Sequence, residues 1–588
     1  MLMDRHILRT AMGKEPADLV VTNGRIVSVY TGEIYPGGVA VSSNRITAVG
    51  DVSYAAGDNT EVIDAEGKYL TPGFIDGHIH PESSNLSMTS FAEIALCHGT
   101  TSVFTDLHEI GVVGGIEAMR AALEEGKKTP LKYYWVVPSH IPFSPGLETS
   151  GGHINAEIIE EVMKHEDSVG LSEVVSLYVA FEHPDLMKSL DITQKNRKII
   201  CGHGPETSGP MWNAFAAAGV TNDHEALSAE DVLLRLRTGV HAMLRHNLVV
   251  PTLPPLIKAV TEHKIDTRMV SLCTDDTTAI MLATQGHMDY LVRLALEQGI
   301  DFMTAIQMVS LNIALAFHRD YEIGSLAPGR YADINIVEGP QNFKVLRTIA
   351  GGKVVAENHK LFESIPKAVH KPVLLNTFHL KSTVEPADLV IPAKKGARTA
   401  HVHIMRTLPH IPITEGGEAD LPVKEGYIAA DKGQDLLHIS VIERHHKTGN
   451  IGKAFLGGMG LKRGAMASSI GHDHHNIVVT GVDPVDMAFA ANRVVEMQGG
   501  IVLAENNQII EEISFPILGL LTDMDAWSLA EKRTALLNAA KDRGCTVSDA
   551  FMFLSFITLA AIPAFAITDR GYVDVSQQKK IDPVLSFS

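Results

Sequence analysis

The chain has 588 residues, too many for one hydrophobic core, and its length calls for about two or three domains. Its 69 acidic against 50 basic residues leave a net charge of −19, which excludes a nucleic-acid backbone as partner, because phosphate binding needs clustered Lys and Arg; a small uncharged molecule such as a base or nucleoside fits better. Cys97, Cys201, Cys273 and Cys545 are dispersed with no C-x-x-C pair, which excludes a disulfide framework and a zinc ribbon and points to a reducing cytoplasm.

The opening segment MLMDRHILRTAMGKEPADLVV carries scattered charges and no apolar core of signal-peptide type, so no export is expected. Residues 17–65 read as short strands separated by Gly and Asn turns, and strands of the same character return at 331–357. A small discontinuous β-sandwich domain, 1–65 with 320–375, is therefore predicted around an inserted unit at 66–319.

Within that unit, short apolar strands run into polar tips. In chain order these are GFIDGHIH (His78, His80), TSVFTDLHE (Asp106, His108, Glu109), YYWVVPSH (Ser139, His140), VGLSE (Glu173), KIICGHG (His203), VTNDHE (His224), HAMLRH (Arg245, His246) and MVSLCTDD (Asp275, Asp276). Amphipathic stretches such as VVGGIEAMRAALEEG, NAEIIEEVMKHE and AEDVLLRLRTG lie between most of them. Strand alternating with helix over roughly 250 residues predicts an α/β fold of the (β/α)₈ TIM-barrel kind, whose chemistry collects at the C-terminal ends of the strands. In an extended strand His78 and His80 share a face while Ile79 points away. Imidazole and carboxylate together suit Zn, Mn or Fe rather than Ca or Mg. His78, His80, His203, His224 and Asp275, with Glu173 placed to bridge, would hold one or two such ions. For any one of them, His203 above all, the alternative is a buried histidine satisfied by a backbone carbonyl.

From about 376 to 588 the chain reads as a mixed α/β region rich in histidine. Its cluster His472, Asp473, His474, His475 has two readings, a loop closing over the barrel mouth or a solvent-exposed ionisable turn; His445 and His446 are further candidates for lid contacts. The apolar run 551–567 is shorter than the ~20 residues that span a bilayer and holds Pro563, so a buried helix followed by a strand is expected and no membrane contact.

The ligand series His78-x-His80, Glu173, His203, His224, Asp275 resembles that of the amidohydrolase superfamily, and IGSLAPGRYADINIVEG (323–339) resembles its return into a small β-domain. DGHIHPESS (76–84), TDLHE (105–109), GLETSGG (146–152), CTDD (273–276) and, more specifically, the stretches at 441–481 and 514–523 resemble the bacterial adenine deaminases, from about Ala17 to Val573. The resemblance implies hydrolytic loss of the 6-amino group of adenine at a binuclear manganese or iron centre, zinc being possible, in a cytoplasmic enzyme that acts on a free purine base and assembles as a homodimer. It implies Asp275 as proton shuttle, His108 and Glu109 on the substrate side, Glu148 and Arg245 as base-binding groups, and Glu225 as the orienter of His224. Leu107, Thr277, Thr278, His246 and Asn247 depart from the family's pattern near the expected base, so base specificity is the open part of this reading. Two other classes are a cyclic-amide hydrolase of the same superfamily, many of which bridge their metals with a carbamylated lysine where this chain has Glu173, and a non-enzymatic scaffold, which would have lost its ligands.

Overall fold

A computed structural model describes residues 5–165, 168–408, 411–560 and 564–588. Eight parallel strands follow one another around a sheet in chain order. They are β1 (Phe74–Asp76), β2 (Thr100–Thr105), β3 (Lys132–Pro138), β4 (Ser168–Val175), β5 (Ile199–His203), β6 (Asn222–Asp223), β7 (His241–Arg245) and β8 (Val270–Cys273). Every residue of β2 and β4 is buried, as continuous apolar runs covered on both faces must be. Ile75, Phe104, Val136, Val169, Cys201, Met243 and Cys273 fill the interior, one from each of seven strands, so the barrel is a packed core with no pore. The amphipathic stretches form the helices His108–Gly126, Ala156–Met163 and Ala229–Arg237, the last begun by a capping box between Ser228 and Asp231.

The barrel closes at its mouth. One step beyond β1 and β8, Ile79–His80 pairs in parallel with Asp275–Asp276. Asp76 spans the same seam, accepting from the Thr274 amide at 3.2 Å and the Thr274 hydroxyl at 2.5 Å, with His287 Nε2 at 3.1 Å.

The strands before and after the barrel share a nine-stranded sheet, joined edge to edge where Tyr69–Pro72 pairs antiparallel with Ile334–Val337. Leu19, Val21, Ile26, Leu70, Ile334 and Ile349 make its core. The chain beyond builds a ten-stranded sheet that begins at Thr399 and carries the helix Pro484–Glu496, seated through Met487, Ala491 and Val494 on Ala465, Val479 and Val502. The apolar run forms a buried helix, Ala550–Phe556, followed by a strand, Phe565–Thr568, while Pro563 lies outside the described residues. Among the described residues no helix is long and apolar enough to cross a membrane.

This C-terminal region grips the barrel mouth at two places. Behind His80, the Ser87 amide donates to Thr522 O at 2.8 Å, Asn85 Nδ2 donates to Leu520 O at 3.0 Å, and the Arg533 guanidinium donates to Asn85 Oδ1 at 2.6 Å. On the loop 146–152, Thr149 donates its amide and hydroxyl to Asp569 at 2.9 and 2.7 Å, while Asn476 Nδ2 reaches Thr149 O at 2.9 Å. The approach is close enough to require glycine: a Cβ on Gly151 would stand 2.2 Å from Val113 O and 2.8 Å from His445 Nδ1.

Candidate metal centre and base pocket

All the polar tips lie where the strands end. His78 and His80 follow β1, Glu173 lies in β4, His203 ends β5, His224 follows β6 and Asp275 follows β8. Glu173 and Asp275 adopt left-handed backbone conformations, φ 53° and 58°, which re-aim each carboxylate out of the strand's alternation. Such residues cost on the order of 1 kcal/mol or more and persist where the surroundings over-determine them.

The six side chains meet. His78 Nε2 lies 3.3 Å from Glu173 Oε1 and 3.5 Å from Asp275 Oδ1, and His80 Nε2 lies 3.4 Å from the same Asp275 oxygen. His203 Nδ1 is 2.7 Å from Glu173 Oε2, and His224 Nε2 is 3.7 Å from Glu173 Oε1. In three sets, His78, His224 and Asp275, then His78, His80 and Glu173, then Glu173, His203 and His224, the ligand atoms fall within 4.8 Å of one another. His78 Nε2 and Glu173 Oε1 are buried with no hydrogen-bond partner, and His203 Nδ1 faces the Glu173 carboxylate. Converging lone pairs of mixed nitrogen and oxygen fit a borderline divalent cation.

The electrostatics agree. Burial opposes charge on His78 and on His203, yet the carboxylates beside them raise the two imidazoles to about 9 and about 10. Burial would also raise Glu173, but His203 and His78 hold it well below the usual carboxylate range.

Arg245 is engaged by two carboxylates. Its NH1 donates to Glu225 Oε1 at 2.6 Å and to Asp275 Oδ2 at 2.7 Å, and its NH2 to Glu225 Oε2 at 3.2 Å. These contacts make Arg245, expected as a base-binding group, a bidentate strut between two carboxylates. Glu225 Oε1 is also 3.2 Å from His224 Nε2, the same nitrogen that faces Glu173.

On the other side of the mouth His108 keeps both ring nitrogens buried and without a hydrogen-bond partner. Phe143 stands edge-on to it at 5.4 Å between ring centroids and lies 6.1 Å from His203, an aromatic wall that no motif announced. Glu148 uses Oε1 to accept the Ser144 amide at 2.9 Å and leaves Oε2 unpartnered, and burial pushes its carboxyl up to about 8. Glu109 departs from expectation: one oxygen meets His472 Nδ1 at 2.9 Å and the other contacts His475 Nε2, so the carboxylate is committed to the C-terminal loop. That loop is buried throughout, with His474 at 0% and His475 at 1% exposure, which overturns the exposed-turn reading of 472–475.

The departing positions serve the backbone. Asn247 donates to Thr274 O at 3.0 Å and accepts the Val249 and Val250 amides, and His246 Nδ1 accepts the Leu253 amide at 3.3 Å. Thr278 caps the helix Ala279–Thr284 by accepting the Met281 amide, and Thr277 touches Met281 Sδ at 3.6 Å. Leu107 sits at φ 55°, a value closed to proline.

A parallel barrel with these ligands at its mouth defines a hydrolase of the amidohydrolase kind. The amidohydrolase family matches residues 69–355, and the adenine deaminase C-terminal domain matches residues 412–579. The chain is 38% identical to an adenine deaminase of Clostridium botulinum over 577 residues, 96% of this chain and 95% of that protein. It is also 38% identical to an adenine deaminase of Mesorhizobium japonicum over 585 residues, 99% of this chain and 97% of that protein. A solved dihydropyrimidinase from Brevibacillus agri covers 59% of this chain and 96% of its own, at 17% identity and a TM-score of 0.45. The chain belongs to the adenine deaminase family.

Proposed function

We propose that the protein hydrolyses adenine to hypoxanthine and ammonia, with His78, His80, Glu173, His203, His224 and Asp275 holding two divalent ions, manganese or iron, with zinc as a substitute. The observation that carries this reading is the Glu173 carboxylate set among His78, His203 and His224, with Asp275 3.5 Å from the first of them. A divalent cation held there supplies the Lewis acidity that makes water nucleophilic at neutral pH.

The protein's own groups then manage geometry and protons. The water oxygen bonds to C6 and the C6–amine bond breaks; one water proton ends on the ring nitrogen beside C6, and the other leaves with the ammonia. Asp275 carries that proton. Burial would raise its carboxyl, but Arg245 and His78 keep it well below the ordinary range, so it is ionised and ready to accept. Arg245 is the positioning group that fixes Oδ2 and leaves Oδ1 facing the histidines. His108, whose ring nitrogens are buried and unpartnered, lines the substrate side of the mouth. Glu148, protonated at neutral pH, donates a hydrogen bond to a ring nitrogen. Glu109 holds the C-terminal loop in place.

Sheet membership supports a discontinuous domain around the barrel and a C-terminal domain of 376–588, and it carries Tyr69–Pro72, expected within a barrel of 66–319, over to the discontinuous domain expected at 1–65 with 320–375. Four buried free cysteines suit a reducing cytoplasm, and the family resemblance suits a homodimer.

The test is to load the protein with manganese or iron and offer adenine, adenosine, cytosine and dihydrouracil while recording ammonia and the ultraviolet spectrum. Adenine is expected to be the best substrate. Ring opening of dihydrouracil with inert adenine would refute the proposal and move the chain to the cyclic-amide hydrolases.

A further inference from the structure

The C-terminal loop contributes more than cover. His472 donates its amide to Ser555 O at 3.1 Å, and its carbonyl accepts from the Thr558 hydroxyl at 2.9 Å. The carbonyl of His474 accepts from His445 Nε2 at 2.8 Å, and His475 donates its amide to Gly471 O at 2.6 Å. Glu109 takes the two flanking imidazoles, His472 and His475. Asp473 is thereby held between anchored neighbours, and its carboxylate is turned toward the barrel mouth. Oδ1 stands 3.3 Å from His472 Nδ1, while Oδ2 stands 4.0 Å from His108 Nε2, too far for a hydrogen bond.

An ionised carboxylate only accepts hydrogen bonds. Burial would raise the Asp473 carboxyl, but the hydrogen bond from His472 and the neighbouring His108 hold it down, so it is charged. Its partner at the mouth must therefore be a donor. A free 6-aminopurine has two, the exocyclic amine and the N–H of its imidazole ring. The amine must lie at the metal centre for hydrolysis, which leaves the imidazole N–H. Glu148, whose free Oε2 belongs to a protonated carboxyl, offers a donor beside this acceptor, and the purine edge presents the complement, the N3 acceptor next to the N9–H donor.

We propose that Asp473, presented by the C-terminal loop, accepts the imidazole N–H of a free purine base and thereby makes the site select bases over nucleosides. The assignment rests on the aminopurine deaminase reading above. A nucleoside has no N–H at its substituted nitrogen and leaves the buried carboxylate unpaired. Sites built to hydrogen-bond a substrate N–H reject the analogue lacking it strongly, by up to roughly 10⁴-fold.

The experiment compares adenine with 9-methyladenine in the full-length manganese-loaded parent, in Asp473→Ala and in Asp473→Leu. The parent is expected to prefer adenine by about 10³-fold or more. In Asp473→Ala, kcat/KM for adenine should fall on the order of 10²-fold while that for 9-methyladenine changes little, so the preference collapses. Asp473→Leu roughly keeps the volume but offers no acceptor and should also lose adenine activity; if it keeps the parent's preference, a purely steric filter replaces the hydrogen bond and the assignment is overturned. Equal losses on both substrates would mean that Asp473 only holds the loop, and that too overturns it. A parent inert toward adenine refutes the deaminase reading, and this assignment with it; an active parent whose preference survives in Asp473→Ala refutes the assignment alone.

Discussion

Replacing Arg245 with Met tests the electrostatic core of the site. The guanidinium makes contacts of 2.6 and 3.2 Å to Glu225 and 2.7 Å to Asp275, all buried. Methionine conserves much of the volume, so the change is mainly one of charge. Removing one partner of a buried pair costs ~3–5 kcal/mol, because the other charge stays behind unpaired. If about a third of that falls on Asp275, its carboxyl rises by about one pH unit. The sign follows from the depressed carboxylates: Arg245 stabilises the fold above their unfolded pKa, and this contribution is lost as pH falls through their folded pKa. The stability deficit of Arg245→Met should therefore be largest at neutral pH and shrink toward acid. In activity, the acid limb of kcat/KM should move to higher pH, since Asp275 must be ionised to accept a proton. Urea unfolding of both proteins at several pH values, with pH–rate profiles on metal-loaded enzyme, reads both effects. A deficit that does not vary with pH, together with an unmoved acid limb, would refute the reasoning.

Other outcomes follow from the same geometry. Asp275→Asn should lower turnover by ~10²–10⁴-fold, since an amide cannot take the proton; activity within threefold of the parent places the shuttle elsewhere. Glu148→Gln should abolish a fall of kcat/KM above pH about 8, the point to which burial raises this carboxyl and beyond which it ceases to donate; an alkaline limb that persists in the variant counts against Glu148 as donor. Asp223→Ala should cost ~3–5 kcal/mol in denaturant unfolding, because Arg235 donates to Asp223 at 2.6 Å with both side chains buried. A loss below 1 kcal/mol would show that Arg235 finds another partner.

The barrel and the polar tips that meet at its mouth were legible because strand ends are a local property: each tip carries its chemistry within a few residues of an apolar run. His78 and Asp275 lie far apart in sequence, yet the order of the strands fixes them as neighbours across the seam. The base pocket was less legible. Arg245 reads as a free cation at a strand end, and only the fold shows it spent on Glu225 and Asp275. Phe143 sits in a loop without periodicity, and the burial of 472–475 depends on packing against residues more than 300 positions away, as the His475–Glu109 contact shows. The departing residues look like specificity changes in sequence, but Asn247 and Thr278 are occupied by backbone amides.

The seam has a consequence for biosynthesis. The Ile79–His80 edge finds its partner only in Asp275–Asp276, so a nascent chain shorter than that holds His78, His80, Glu173, His203 and His224 without the strand that closes the ring around them. Glu109 waits longer still, for His472 and His475. On the proposed metal reading, a ribosome-stalled fragment ending before residue 276 should bind divalent ions more weakly than the finished barrel.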